Sequence, residues 1–180
     1  MKFVCEKTNL IKAINSVVKG VSSKTPMPIL EGILIQTNEN EVKLTTYDLE
    51  LGIEYVIDCE VIEQGNTVAN AVMFSEIIKK LPDTEITIYL DDKDLLVIEC
   101  EGSLYKLATM NPMEFPELPN IEEENSISLE QKTLKEMIAK TIFAVSTEVH
   151  RPIFTGCLFE IKNGKINVVA VDRIQIRMEK

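Results

Sequence analysis

The sequence predicts an α+β fold in which a strand–helix–three-strand unit recurs. Three observations lead there. Hydrophobic spacing switches along the chain between a period of two and a period near 3.6. The same order of elements occurs in residues 1–61 and again in 66–110. A shift of 124 residues then brings the early chain onto its later part without a gap.

Phe3 and Cys5 alternate with Lys2, Val4 and Glu6, which predicts a first strand. Asn9 is a candidate N-cap for a helix that places Leu10, Ile14, Val17 and Val21 on one side. Ser22 to Pro28 holds two prolines and reads as a loop. Ile29–Gln36, Val42–Thr46 and Leu51–Val61 follow as strands, with a hairpin turn at Asn38-Glu39-Asn40. Thr67–Ala71 is strand-like. Phe74, Ile77, Ile78 and Leu81 then recur at helical spacing until Pro82 stops the helix. Glu85–Tyr89, Leu95–Cys100 and Leu104–Thr109 alternate as three more strands, turning at Asp91–Asp94 and at Gly102.

Pro112, Pro116, Pro119 and the run Glu122–Glu124 predict a linker over 111–125. Beyond it come a strand at Ser126–Leu129 and a helix at Thr133–Ala144. Further strands are expected at Ile153–Ile161, Ile166–Val171 and Ile174–Met178. The division expected is a complete first domain at 1–118, a linker at 119–125, and the first half of a second, truncated domain at 126–180.

The 124-residue shift carries this second copy. It places Leu10 on Leu134, Ile14 on Ile138, Val21-Ser22 on Val145-Ser146 and Pro28-Ile29 on Pro152-Ile153. Gly32, Leu34 and Asp48 fall on Gly156, Leu158 and Asp172. Helix faces alone could coincide; a glycine, an aspartate and two dipeptides in one register argue for duplicated architecture. Nothing in 126–180 corresponds to residues 66–110. The expectation is therefore a piece of a longer protein, or one that completes itself against a partner.

The chain has a net charge of −10 and is 45% hydrophobic, enough for a substantial core. An acidic total argues against nucleic-acid binding until its distribution is examined. Residues 8–21, 74–81 and 132–145, the helices, together carry +5, which leaves −15 for the rest. Lysines at 12 and 19 lie two turns apart, about 10 Å along one face. With Lys79, Lys80, Lys135 and Lys140 they predict either ordinary solvated helix faces or a basic surface that meets phosphates without reading bases.

Catalytic signatures are missing. There is no G-x-x-x-x-G-K-[ST], no G-x-G-x-x-G and no G-x-S-x-G, and His150 is the single histidine. Cys5, Cys59, Cys100 and Cys157 lie apart in apolar stretches and read as small buried hydrophobes. Asp91-Asp92 reads as a solvated turn, and the repeating Asp48 and Asp172 as residues that bond turn backbone. Neither metal, cofactor nor enzymatic activity is expected. The N-terminus has no signal-peptide core and no stretch is long enough to span a membrane, which predicts a soluble cytoplasmic protein.

Several segments are similar to the bacterial DNA polymerase III beta subunit, the replicative sliding clamp. They are Met1-Lys2-Phe3, Pro26-Met27-Pro28-Ile29-Leu30, Thr46-Tyr47-Asp48-Leu49-Glu50, Lys80-Leu81-Pro82 and Glu114-Phe115-Pro116-Glu117-Leu118-Pro119. Arg151-Pro152-Ile153, Gly156 and Leu158-Phe159-Glu160 resemble the opening of that family's second domain. The resemblance implies a DNA-clamp fold with sheets outside and helices on the inner face of a ring-shaped homodimer. Such a ring slides on duplex DNA independently of sequence, tethers the polymerase and is opened by clamp-loader subunits. It implies DNA contacts at Lys24 and Arg151, in matching loops, besides the helix lysines. It implies a subunit interface at Phe74, Ile77, Leu81 and Leu107, and part of a partner-peptide pocket at Phe154, Val171 and Asp172. There the family's Thr-Asp-Gly-His-Arg-Leu-like segment is replaced by Val171-Asp172-Arg173-Ile174-Gln175-Ile176, and only the aspartate matches. The alternative is a clamp-like protein–protein adaptor or decoy that never encircles DNA.

Overall fold

The computed structural model describes residues 1–21, 25–120, 126–148, 150–172 and 176–179. The chain divides into two compact units, Met1–Asn120 and Ile121–Lys180.

In the first unit β1 (Lys2–Glu6) runs directly into α1 (Lys7–Val17), followed by β2 (Gly32–Asn38), β3 (Glu41–Tyr47), β4 (Gly52–Asp58) and β5 (Glu60–Glu63). The order then recurs as β6 (Gly65–Asn70), α2 (Ala71–Lys80), β7 (Glu85–Leu90), β8 (Leu96–Cys100), β9 (Ser103–Leu107) and β10 (Thr109–Met110). The halves interleave. One sheet has the order β5-β1-β7-β8-β9 and the other β10-β6-β2-β3-β4, so each half lends its first strand to the other half's sheet. The chain crosses between sheets at Cys59 and again at Ala108, which is why Leu51–Val61 and Leu104–Thr109 are each two strands rather than one. Cys59 N–H donates to Asn40 O at 2.9 Å across the first crossing.

The inward positions of both sheets and the apolar stripes of both helices form one core. Phe3, Leu10, Ile14, Ile35, Phe74 and Ile88 are among its fully buried members. α1 packs on β3 and β4, α2 on β6 and β9, and the helices pack on each other. A smaller cluster on the other side of β2 and β6 joins Ile29, Leu30, Val68 and Phe115. Part of the expected 111–125 linker is thus packed structure: Pro112–Glu114 forms a 3-10 turn and Phe115 is buried. Gly52 lies beneath this strap, and a Cβ there would lie 2.0 Å from Leu118 Cδ2, so the leucine side chain would have to turn aside.

The first helix begins before Asn9. Its N-cap is Glu6, since β1 passes into α1 without a loop, and Asn9 is an exposed helical residue. α2 starts at Ala71, three residues before the expected Phe74, and Asn70 Oδ1 caps it by accepting from Met73 N–H at 3.1 Å.

The second unit contains α3 (Gln131–Thr141), β11 (Leu158–Lys162), β12 (Lys165–Val171) and β13 (Ile176–Glu179), with α3 packed on β12 and β13. The 124-residue repeat holds to the residue: Asn38↔Glu41 pairs in β2–β3 as Lys162↔Lys165 does in β11–β12, and Tyr47↔Gly52 as Val171↔Ile176. Two expected strands differ. Pro152–Phe154 is a 3-10 turn, so the strand expected from Ile153 starts only at Leu158. Residues 126–130 form no strand and are exposed throughout. Their counterpart β1 pairs only with β5 and β7, and residues 126–179 provide an equivalent of neither.

Candidate nucleic-acid interface

Each helix starts from an extended residue of nearly the same geometry: Glu6 (φ −64°, ψ 130°), Asn70 (φ −57°, ψ 124°) and Glu130 (φ −63°, ψ 130°). This fixes which side of each helix meets the sheets. In α1 Leu10, Ala13, Ile14 and Val17 face the core. The exposed side presents Thr8, Asn9, Lys12 and Asn15, with Lys19 in the following 3-10 turn. It carries no acid. Ser16 Oγ donates to Lys12 O at 3.0 Å and keeps the surface compact.

Lys79 and Lys80 are exposed in the last turn of α2, where they also oppose the negative end of the helix dipole. Adjacent helical residues point about 100° apart, so the two do not share a face. Lys80 lines a hollow with Met73, Ile77 and Tyr105 at the α2–β9 edge. In the second unit Lys135 and Lys140 of α3 are exposed, as is Arg151 before its 3-10 turn. Lys24 lies outside the described residues. Among the described residues Lys12, Lys19, Lys79, Lys80 and Lys135 form no ion pair. Lys7, Lys43 and Lys106, by contrast, pair with Asp83, Glu54 and Asp91. Among the described residues Glu76 and Glu136 are the acids within the three α-helices; the others lie on strands, turns and loops, and Glu54, Asp58, Glu60, Glu63, Glu85 and Glu99 are all exposed. The surface of α1, rich in hydroxyl, amide and ammonium donors and free of carboxylates, suits phosphate oxygens, whereas α2 and α3 each expose one acid, Glu76 and Glu136.

The expected subunit-contact residues differ in exposure. Phe74, Leu81 and Leu107 are buried within the first unit and have no surface to offer, because they complete the core under α2 and β9. Ile77 is half-buried and reaches the hollow. The exposed apolar residues of this edge are Val72, Met73, Leu104 and Tyr105. Val72 and Met73 lie off the core stripe of α2, and an apolar pair off the stripe is the sequence signal that marks them.

Phe154 and Val171 are half-buried, in the 3-10 turn and at the end of β12. Asp172 follows Val171 as Asp48 follows Tyr47. Asp48 Oδ1 accepts from Glu50 N–H at 2.9 Å and Leu51 N–H at 2.6 Å, and these bonds hold its carboxyl below the usual range. Leu49 between them adopts a φ of 77°. Asp48 is thus a turn-forming residue. Asp91 behaves likewise: it accepts from Lys93 and Leu95 N–H and pairs with Lys106 Nζ at 2.7 Å. The buried Cys5 thiol is pushed up to about 12, by burial first and then by the neighbouring Cys59, which itself rises to about 11. Such thiols are poor nucleophiles.

Residues 1–119 match the family described as DNA polymerase III beta subunit, N-terminal domain, and residues 128–180 match its central domain. The chain is 39% identical to the beta sliding clamp of Halalkalibacterium halodurans, over all of this chain and 50% of that protein. Its fold superposes on the Bacillus subtilis DNA polymerase sliding clamp with a TM-score of 0.95 at 34% identity, covering 100% of this chain and 50% of that one. For the DNA polymerase beta subunit of Streptococcus pyogenes the TM-score is 0.90 at 31% identity, covering 96% and 47%. The chain spans about half the length of the curated relatives it matches.

Proposed function

Because the chain belongs to the DNA polymerase III beta subunit family, we propose that it serves as part of a sliding clamp that encircles duplex DNA and tethers a replicative polymerase. The observation that carries this reading is the acid-free, lysine-bearing face of α1 on a chain of net charge −10. The helices are the DNA-facing layer. They hold phosphates by long-range attraction and by donors that carry no base preference, so the ring slides rather than stops. Lys12 and Lys19 are the principal contacts, joined by Lys79, Lys135, Lys140 and Arg151, with Lys24 in the loop after α1. The protein works in the cytoplasm by topology rather than catalysis. None of the helices in its described residues is long and apolar enough to cross a membrane.

Ring closure as a homodimer uses the α2–β9 edge, through Val72, Met73, Ile77, Leu104 and Tyr105. Phe154, Val171 and Asp172 contribute to the pocket for peptides of the polymerase and clamp-loader subunits. The first domain spans 1–118, 119–125 links it, and 126–180 opens the second. The two compact units support this division.

The test is the salt dependence of duplex binding, followed by fluorescence anisotropy. Each lost phosphate contact lowers the slope of log K against log salt by about 0.9, so Lys12→Ala/Lys19→Ala should lower it by about 1.8. Lys43→Ala, which removes a lysine paired with Glu54 on a strand, should leave the slope unchanged. Equal slopes for wild type and the double variant would refute the assignment of α1 to DNA.

A further inference from the structure

We infer that Cys5 and Cys59 are a disulfide-forming pair, closed by a peroxide and reopened by a thiol reductant, and that the bond locks the exchanged strand β1 into its sheet. The inference rests on the first unit alone and is independent of the DNA reading.

The register sets the two free thiols opposite each other. β1 and β5 run antiparallel with Phe3↔Val61 and Val4↔Glu60. The next step of that register is Cys5 with Cys59, the residue at which the chain leaves β4 and enters β5. Residues directly opposite in an antiparallel pair share a face. Here that face is the core: Phe3 and Cys5 are buried in it, and Val61 and Cys59 pack against it.

Backbone hydrogen bonds decide whether such a pair can be bridged. Lys7 N–H donates to Thr84 O at 3.1 Å, and Leu90 N–H donates to Met1 O at 3.0 Å. The odd-numbered residues of β1 therefore turn their backbone groups towards β7, where Cys5 opposes Ile86. Towards β5, Cys5 is a non-hydrogen-bonded position. Cys59 agrees, because its N–H donates to Asn40 O at 2.9 Å instead. Opposed residues at non-hydrogen-bonded sites have Cα atoms about 4.5 Å apart. A disulfide spans about 4.4–6.8 Å between Cα atoms. Cys100 lies on β8, two strands from β1. At about 4.8 Å per strand it is roughly 10 Å away and cannot compete.

Burial, above all, keeps both thiols protonated, with Cys5 pushed up to about 12 and Cys59 to about 11. The pair therefore stays reduced until an oxidant persists. Cys59 is only half-buried and has the Val42 N–H bonded to it, so it meets the peroxide first. Its thiolate attacks the O–O bond, which breaks to give a sulfenic acid and hydroxide. The Cys5 sulfur then attacks the Cys59 sulfur. The S–S bond forms, the S–O bond breaks, and the Cys5 proton leaves with that oxygen as water. Two thiols are oxidised and one peroxide is reduced to water.

The bond ties residue 5 to residue 59 and closes over α1, β2, β3 and β4. β1 is otherwise held in its sheet by its flanking strands β5 and β7. A covalent link at the crossing blocks any opening that begins by withdrawing β1.

The full 180-residue chain, treated with hydrogen peroxide in native buffer, is alkylated and mapped by mass spectrometry. The expected product lacks the two thiol hydrogens, joins the Cys5 and Cys59 peptides within one chain, and returns to free thiols with dithiothreitol. Amide exchange in β1 should slow on the order of 100-fold in the oxidised form. Cys59→Ser should abolish both effects; circular dichroism checks that this half-buried substitution leaves the fold intact. Cys100→Ser should change neither effect. A link from either residue to Cys100 or Cys157, or between chains, would overturn the inference. So would sulfinic acid at Cys59 without a cross-link, or a Cys5–Cys59 bond that forms only in urea. A native bond that left β1 exchange unchanged would overturn the lock.

Discussion

Replacing Phe74 with alanine separates core from surface on α2. The phenyl ring is fully buried in the cluster that includes Leu10, Ile14, Ile78 and Ile88. Returning such a side chain to water costs about 1.5–3 kcal/mol. The void left behind, roughly 50–80 Å³ after partial relaxation, adds about 1–2 kcal/mol at about 24 cal/mol per Å³. A loss of about 3–5 kcal/mol is expected, a large share of the stability of a domain this size. Met73, its neighbour, is 55% exposed, and Met73→Ala should stay within about 0.5 kcal/mol. The chain has no tryptophan, so urea unfolding is followed by far-ultraviolet circular dichroism, with an unchanged m-value as the sign of a pure stability effect. Hydrogen exchange at β1 and β7 amides isolates the first unit. At the α2–β9 edge proposed above as the ring contact the order should reverse, with Met73→Ala the damaging change at concentrations where both variants are folded. If Phe74→Ala costs less than about 1 kcal/mol, the ring is not a core element and the corrected contact surface fails with it.

Two further outcomes follow from local geometry. Asp91 is held down to about 2 by the Lys106 ammonium first, then by the N–H groups of Leu95 and Lys93. The unfolded chain takes up that proton near the ordinary value of about 3.9. The stabilisation is therefore present above about pH 4 and lost as pH falls through 2. A carboxyl titration by NMR should show that midpoint and an upward move in Lys106→Ala; no move would remove the ion pair as the cause. Gly52→Val puts a side chain where Leu118 lies, with the added Cβ 2.0 Å from Leu118 Cδ2. The strap should lift from the sheet, and glutamyl endopeptidase should cut at Glu114 and Glu117 several-fold faster. An unchanged rate would mean that the strap does not depend on the glycine.

Local pattern was legible wherever a segment's own periodicity decides its state. α1, α2, α3 and the hairpins β2–β3, β7–β8 and β11–β12 arise from apolar spacing and turn residues, and these are near-neighbour effects. The Asp48 turn was legible for the same reason, since its carboxylate bonds the next residues but one and two. Partner identity was not legible. Ser-Ile-Ser-Leu-Glu at 126–130 alternates as well as Lys-Phe-Val-Cys-Glu at 2–6, yet only the latter is a strand. A strand is completed by backbone partners, and those of β1 come from residues about 60 and 85 positions away. The exposed apolar residues of the α2–β9 edge were not singled out for a related reason. Phe74 and Leu107 carry the strongest apolar signal because they build the core. The exposed apolar residues Val72 and Met73, and Leu104 on β9, sit off that stripe and carry a weaker signal.

The sheet crossings at Cys59 and Ala108 bring two basic helices of an acidic chain together. Because each half sends its first strand into the other half's sheet, the following helix starts where two strands of opposite halves meet. α1 and α2 are therefore drawn together over the junction of the two sheets, and their apolar stripes become one core. Lys12, Lys19, Lys79 and Lys80 are exposed on or just after these two helices, with Glu76 the one exposed acid of α2, while carboxylates such as Glu54, Glu85 and Glu99 lie on the sheets. The separation of charge is written in sequence blocks, +5 on the three helical stretches and −15 on the rest, and the interleaved fold brings two of those helices together. It follows that a substitution opening the exchange, such as Phe3→Asp in β1, should weaken duplex binding with every lysine still in place. Binding that survived loss of β1–β7 amide protection would show that the lysines act from the helices singly and that the interleaved fold is not what assembles the surface.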